Sequence, residues 1–530
     1  MPTRGRDAAM AIALFSFGLL VNLYYGRLGF MPLDQGIVFD GAWRMMQGQV
    51  PYRDFTAPNA LVPSLLQVPY FAVFGVTWFA FVLHASVING LFSAGTYALL
   101  RRLEASRLEA AAFAALTAFF FYPPNGTPFM DQHAFFFTAL AFATVYVGST
   151  TASARHARWC WIVLPWLLAL GYFSKQIPTA FGALAIAGFL VIQFRRAGQW
   201  LGDIVLGGLM LLAVATALWL VLGLSLEAAW QSLVSMPLDI ARERTPGDTG
   251  TAPIRLVVGT TVRIPAWASL WSVYIALAGG AALVAARATS HWLQKGWMLA
   301  AIMFTTGAFS AYTLNQLENS YCLLMLAAGV GCVALRGTVE RLAPRHQRLA
   351  RAASVVLIAL ATRDTVVFAR DIDATRVVLD TTFDRAVADQ AGRHLPAAMQ
   401  FMEWTDVKIN AEQFGRLFRF LSAAPHNFVL ISDLTPLYAL TKKPSTSPAL
   451  WLHPGLTIPR SGTAAFARFE ERLLSRIREY DVRYVVIDEP YTGRFVRLVE
   501  FPQLRGLIEE TGCAEHRFGE VRVVQLCPKD

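Results

Sequence analysis

Asp34 stands between Pro32 and Gly36, and seventeen residues further on begins the run Pro51-Tyr52-Arg53-Asp54-Phe55. A carboxylate set among turn-forming residues in a polar stretch can take a proton from a hydroxyl, as a general base does. The competing reading is a cap on the helix that includes Ala42 to Met46. A second group is Asp131-Gln132-His133. Carboxylate and imidazole both ligate divalent ions, so a metal is one reading of Asp131 with His133, and a helix-start cap by Asp131 is another. Third comes Ser174-Lys175-Gln176. An ammonium beside an anionic lipid head neutralises its phosphate and stabilises it as a leaving group, although a lysine at a helix end also snorkels to water for no chemical purpose. Arg53 and Arg263 are further cations suited to phosphate, and Asp54 is a further carboxylate. Asn315, Asn319 and Tyr321 offer polar contacts to a sugar or phosphate, or anchor span ends at the interface. No Ser-His-Asp set, phosphate-binding Walker loop or G-x-G-x-x-G run occurs in a usable context.

These residues lie between apolar runs. Of 530 residues 55% are hydrophobic and 15% charged, against roughly 25% charged in soluble chains. With mean hydropathy +0.44, the composition is that of a polytopic membrane protein. Runs long enough to cross the bilayer, which takes about 20 residues, fall near 8–28, 77–100, 107–122, 132–149, 159–174, 177–194, 201–224, 267–288, 297–314, 319–335 and 350–368. The expected fold is therefore an all-α bundle of about eleven transmembrane helices. The first run has Arg4 and Arg6 ahead of it and no small-residue cleavage site after it, so it is expected to stay as a helix. Residues 31–76 form the first outer loop, too charged to bury in hydrocarbon. Within it Leu61 to Phe74, with Pro63 and Pro69, reads as a helix lying at the interface.

Basic residues set the orientation. Arg101, Arg102 and Arg107, then Arg155 and Arg158, Arg195 and Arg196, Arg287 and Lys295, and finally Arg336 to Arg351 mark alternate connections as cytoplasmic, together with the N-terminus. The first loop, Asp131, Lys175, the 225–266 loop and the C-terminus then share the outer side. The 225–266 loop reads as a surface loop or a substrate lid. The net charge of +10 is largely these loop residues, and no aromatic-interleaved basic stripe points to nucleic acid.

Residues 1–368 are the expected membrane domain and 369–530 a small soluble α/β domain. In the latter, Asn410 to Leu421 and Ala464 to Glu479 read as amphipathic helices. Phe428 to Ser432, Arg483 to Asp488 and Val521 to Leu526 read as strands. Asp433, His453 and Asp488 fall near strand ends, and Pro448 to Pro459 reads as packing against the membrane domain or as a cover for the acceptor. Of five cysteines, Cys160, Cys322 and Cys332 sit in apolar runs as core residues, whereas Cys513 and Cys527 are free to pair in an oxidising compartment.

Asp34, followed at this spacing by Gly48 to Phe55 (G-x-x-P-Y-R-D-F) and then an apolar interfacial stretch, resembles the GT-C superfamily of polytopic glycosyltransferases. These include the polyprenyl-phosphate-mannose protein mannosyltransferases and the bacterial transferases that put aminoarabinose on lipid A. The likeness is best over 30–100. It implies that Asp34 is essential, that Asp131 matches an acidic residue of a second outer loop, and that Lys175 matches a lysine after an F-x-x-K-like run. Gln35 replaces the second carboxylate common in that family, a role open to Asp54 or Asp131. The implied activity is inverting transfer of a sugar from a polyprenyl-phosphate donor to a hydroxyl of a glycan, lipid or protein at the outer face of a plasma or inner membrane, without a nucleotide sugar. The other expectation is a non-catalytic transporter or envelope-assembly scaffold. Transporters keep ionisable residues within spans near the midplane, whereas here the charges gather at one face.

Overall fold

The computed structural model describes residues 2–26, 32–123, 125–236, 238, 296, 298–303, 306–307, 310, 321–342, 347–375, 409, 411–455, 457–488 and 498–527. The first half is helical: α1 Pro2–Gly26, α2 Pro32–Met46, α3 Leu61–Phe74, α4 Trp78–Arg102, α5 Arg107–Phe120, α6 Met130–Thr150, α7 Ala154–Ser174, α8 Gln176–Ile192, α9 Phe194–Leu222 and α10 Leu226–Trp230. Further on are α11 Leu324–Leu342 and α12 Gln347–Thr375. Among the described residues four helices, in α1, α4, α6 and α9, are long and apolar enough to cross a membrane.

Polar residues fix where these helices begin. Thr77, Ser106, Ser153 and Ser225 each accept a backbone N–H of the following first turn, and Ser106 forms a reciprocal capping box with Glu109. Helix α9 leaves Leu220 75% and Val221 80% exposed. A surface so apolar is stable against lipid, not water. Where helices cross closely, the residues are small. A Cβ on Gly18 would meet Asn89 O at 3.1 Å, and one on Gly90 would meet Phe15 O at 2.6 Å, so α1 and α4 pack backbone to backbone. Glu109 and Arg336 join α5 to α11 as a largely buried ion pair.

Two elements differ in extent from the expected ones. The run 107–122 ends as a helix at Phe120, and its 14 residues rise about 21 Å at 1.5 Å each, short of the roughly 30 Å hydrocarbon core. The 225–266 loop is helical at its start, since α10 is followed by a π-helical turn over Gln231–Ser235. The expected span 267–288 lies outside the described residues, as does half of 297–314.

The tail carries α13 Ala411–Ala423, β1 Asn427–Ile431, α14 Pro436–Leu440, α15 Ala464–Glu479, β2 Val482–Asp488, α16 Pro502–Thr511, β3 Gly512–Phe518 and β4 Val521–Leu526. The four strands pair in the order β1-β2-β4-β3, with β1 and β2 parallel and the other neighbours antiparallel. Helix α15 lays Phe466, Phe469, Leu473 and Ile477 on one face of the sheet, against Val429, Ile431, Val485 and Ile487. Phe428 and Leu430, pointing the other way, join the large core that includes Leu417, Leu421 and Tyr438. A disulfide joins Cys513 to Cys527.

The tail is stitched to the first loop. Trp43 Nε1 donates to Lys443 O at 2.9 Å, Gln49 Nε2 to Ser445 O at 2.9 Å, and the Thr56 N–H to Pro448 O at 2.9 Å. Between them lies a fully buried ion pair, Asp40 with Arg44, 2.7 Å apart and one helical turn from each other. The Arg44 fork also donates to Ser447 O at 2.6 Å and Ala449 O at 3.3 Å, while the Ser445 hydroxyl donates to Asp40 at 2.5 Å. Burial pushes the Asp40 carboxyl up from its ordinary value; Arg44 and the Ser445 hydroxyl pull against that shift.

Candidate functional site

Helix α7 stops at Ser174 because Lys175 is extended, with φ −158° and ψ 135°. The chain then turns into α8, leaving the Lys175 side chain between two helix ends. Its Nζ donates to Asp131 Oδ2 at 2.8 Å. Asp131 stands in the first turn of α6 and its side chain is fully buried, while that of Lys175 is 20% exposed. The ammonium has three N–H donors, and the described residues take up one of them. Asp131 Oδ1 finds no partner in another described residue.

The chain just before α3 runs alongside this turn. The Ala60 N–H donates to Ser174 O at 2.8 Å, and Gln176 Nε2 donates to Pro58 O at 2.5 Å. Asn59, between them, is thereby brought alongside Lys175. Its Oδ1 is buried and has no hydrogen-bond partner among the described residues.

Asp34 lies in the first turn of α2; its side chain is outside the described residues. Its neighbours show how that turn is held. Gln35 Nε2 donates to Asn125 O at 3.1 Å, tying the turn to the loop that leads into α6. Gly36 faces the tail so closely that a Cβ there would meet Thr435 Oγ1 at 2.5 Å. The loop before α6 thus contacts the turn of Asp34 at one end and carries Asp131 at the other. In that loop Asn125 Nδ2 and Thr127 Oγ1 are buried without partners among the described residues, as is Gln132 Oε1 beside Asp131.

Arg53 and Asp54 are placed elsewhere. Tyr52, at φ 62°, makes a tight turn that sets Arg53 against Asp54 at 2.8 Å and the end of α9, where it donates to Leu222 O at 3.3 Å. Burial raises the Asp54 carboxyl, but Arg53, the Val50 N–H and Arg476 outweigh it and hold the group below its ordinary value. No described contact joins either residue to Lys175 or Asp131. They brace the loop against α15, where Arg476 donates to Asp54 O at 2.8 Å.

His133 is buried and its ring nitrogens are engaged. Nδ1 meets the Tyr122 hydroxyl at 2.5 Å and Phe129 O at 3.0 Å; Nε2 meets His84 Nε2 at 3.0 Å. His84 Nδ1 in turn meets Gln67 Oε1 at 2.9 Å. Asp131 and His133 therefore turn to different partners, and no group of three ligand-type side chains converges among the described residues. Arg263, Asn315 and Asn319, and the side chain of Tyr321, lie outside the described residues.

Several participants escaped the sequence reading. Asp40 and Arg44 carried a usable signal, opposite charges four apart on a helix. Asn59 carried none: a single amide in a polar stretch becomes informative only when its surroundings leave its oxygen buried and without a partner among the described residues.

No protein-family model matches the chain, and no curated protein matches it. Solved structures do. ArnT from Cupriavidus metallidurans bound to undecaprenyl phosphate superposes with a TM-score of 0.56 over 97% of each chain at 11% identity. Its apo state gives 0.56 over 98% of each chain at 12% identity. At that identity the likeness shows a shared fold, extending over nearly the whole chain, tail included.

Proposed function

We propose that this protein is an integral-membrane glycosyltransferase that moves a sugar from a polyprenyl-phosphate donor to an acceptor hydroxyl, working at the outer face of an inner or plasma membrane. The observation that carries the reading is the buried Asp131–Lys175 pair with bonding capacity to spare, at the start of the helix whose preceding loop bonds the residue after Asp34. A structure of the same fold holds undecaprenyl phosphate.

Lys175 is pre-set by Asp131 and offers its remaining N–H donors to the donor phosphate. Asp34 takes the proton of the acceptor hydroxyl as its oxygen attacks the anomeric carbon. The bond from that carbon to the phosphate oxygen breaks, and polyprenyl phosphate departs with its charge met by Lys175. A single displacement of this kind inverts the anomeric centre. Residues 1–368 supply the membrane bundle, with the N-terminus cytoplasmic. Residues 369–530 form the outward domain that positions the acceptor glycan, lipid or protein.

The test is Asp34→Asn in protein that still inserts and folds. General-base removal costs typically 10²- to 10⁴-fold, so transfer from polyprenyl-phosphate sugar should fall by about that factor while the donor still binds. Transfer within threefold of wild type removes Asp34 from the mechanism.

A further inference from the structure

Buried polar atoms are almost always paired, because an unpaired one forfeits its hydration for nothing. Five that lack a partner among the described residues fall in the turn at Asn59 and in the segment 125–132: Asn59 Oδ1, Asn125 Nδ2, Thr127 Oγ1, Asp131 Oδ1 and Gln132 Oε1. Asp131 and Thr127 are fully buried, Gln132 is 1% and Asn125 7% exposed. Asn59 is carried beside Lys175 by the bonds from Ala60 and Gln176. Asp131 holds Lys175 directly. Asn125 is tied through its carbonyl to the residue after Asp34.

A site left this hungry is one that a ligand completes. The chemistry of the atoms says which kind. A carboxylate oxygen accepts only, a hydroxyl both donates and accepts, and an amide presents either end. A phosphate diester carries acceptors and no donors, so the phosphate that Lys175 would bind cannot satisfy Asp131 Oδ1. A group dense in hydroxyls can.

We propose that Asn59, Gln132 and the free oxygen of Asp131, with Asn125 and Thr127, form a subsite that reads the hydroxyls of the transferred sugar immediately beside its phosphate. This rests on the donor reading above and deepens it. Asn59 and Gln132 determine which sugar is accepted; Lys175 acts on the phosphate, common to all such donors. A site built to bond hydroxyls also discriminates strongly against a sugar lacking one, because its own buried groups are then left unpaired.

The experiment measures binding of undecaprenyl phosphate, and of its glucosyl, mannosyl and arabinosyl phosphodiesters with their 2-deoxy counterparts. The full-length protein in nanodiscs is compared with Asn59→Ala and Gln132→Leu. Wild type should hold at least one sugar-bearing lipid about tenfold or more tighter than the bare lipid. Each variant should lose most of that margin while binding undecaprenyl phosphate as before. Removing an unpaired polar atom should leave the melting temperature of the ligand-free protein unchanged or raised, whereas a structural role would lower it. Variants that keep the wild-type sugar preference, or lose affinity for bare and sugar-bearing lipid alike, overturn the subsite and leave the donor reading standing. A wild type that holds every sugar no tighter than the bare lipid overturns both.

Discussion

Replacing Arg44 with leucine should loosen the tail from the first loop by a measurable amount. The guanidinium is fully buried and bonds Asp40, Ser447 O and Ala449 O, and it lies 5.1 Å from the centre of the Phe55 ring. Leucine removes all of these at once and leaves the Asp40 carboxylate in the interior with the Ser445 hydroxyl. Breaking a buried pair by deleting one partner costs about 3–5 kcal/mol. At roughly 1.4 kcal/mol per factor of ten, that is a rise of about 150- to 4,000-fold in local opening. Hydrogen–deuterium exchange across 443–458, the segment Arg44 holds, reads that opening directly. Burial already lifts the Asp40 carboxyl, and losing Arg44 lifts it further. A carboxyl raised in the folded state favours folding at low pH and loses that contribution as pH rises through its folded value. The variant's deficit should therefore shrink on acidification. Asp40→Leu with Arg44→Leu removes both charges and should be less costly than Arg44→Leu alone, because no uncompensated carboxylate remains. Protection of 443–458 within twofold of wild type in the single variant, or a double variant as weak as the sum of the singles, would refute the argument.

Three further outcomes follow from other contacts. Lys175→Gln should weaken binding of bare undecaprenyl phosphate by about tenfold or more, since charge-assisted bonds contribute roughly 1.5–3 kcal/mol; an unchanged dissociation constant by native mass spectrometry would place the phosphate elsewhere. Cys513→Ser opens a bridge between residues 14 apart, and the chain-entropy relation gives about 3 kcal/mol for a loop of that size. A tail whose denaturant midpoint matches wild type would count against it. Asp54, held below its ordinary value, should contribute to docking at neutral pH and cease to do so as pH falls through that lowered value. Asp54→Asn should flatten the acid limb of α15 exchange protection, and an unaltered limb would exclude Asp54 as its source.

The limits of the sequence reading follow from how each signal arises. Ala464 to Glu479 and Val521 to Leu526 emerge with the expected bounds because their apolar periodicity and caps are local. Strand β3, with Gly512 to Arg517 exposed, has no apolar alternation to announce it and exists because β4 and the disulfide hold it. Helix α2 reads as part of a charged outer loop in sequence. It is buried because Arg44 and Asp40 neutralise one another inside a shell of tail carbonyls about 400 positions away, as the separation of 403 between Arg44 and Ser447 shows.

The order of residues alone determined that the chain is apolar enough to cross a membrane repeatedly, that an acidic, aromatic stretch follows its first helix, and that helix and strand patterns alternate towards the C-terminus. Composition and periodicity are properties of neighbours along the chain. Only the tertiary structure decided that Lys175 meets Asp131 across 44 positions, that Asn59 stands beside them, and that the tail clamps the first loop. Pairing and burial depend on what arrives from elsewhere in the chain, and a polar atom's need for a partner becomes visible only once its surroundings have closed around it.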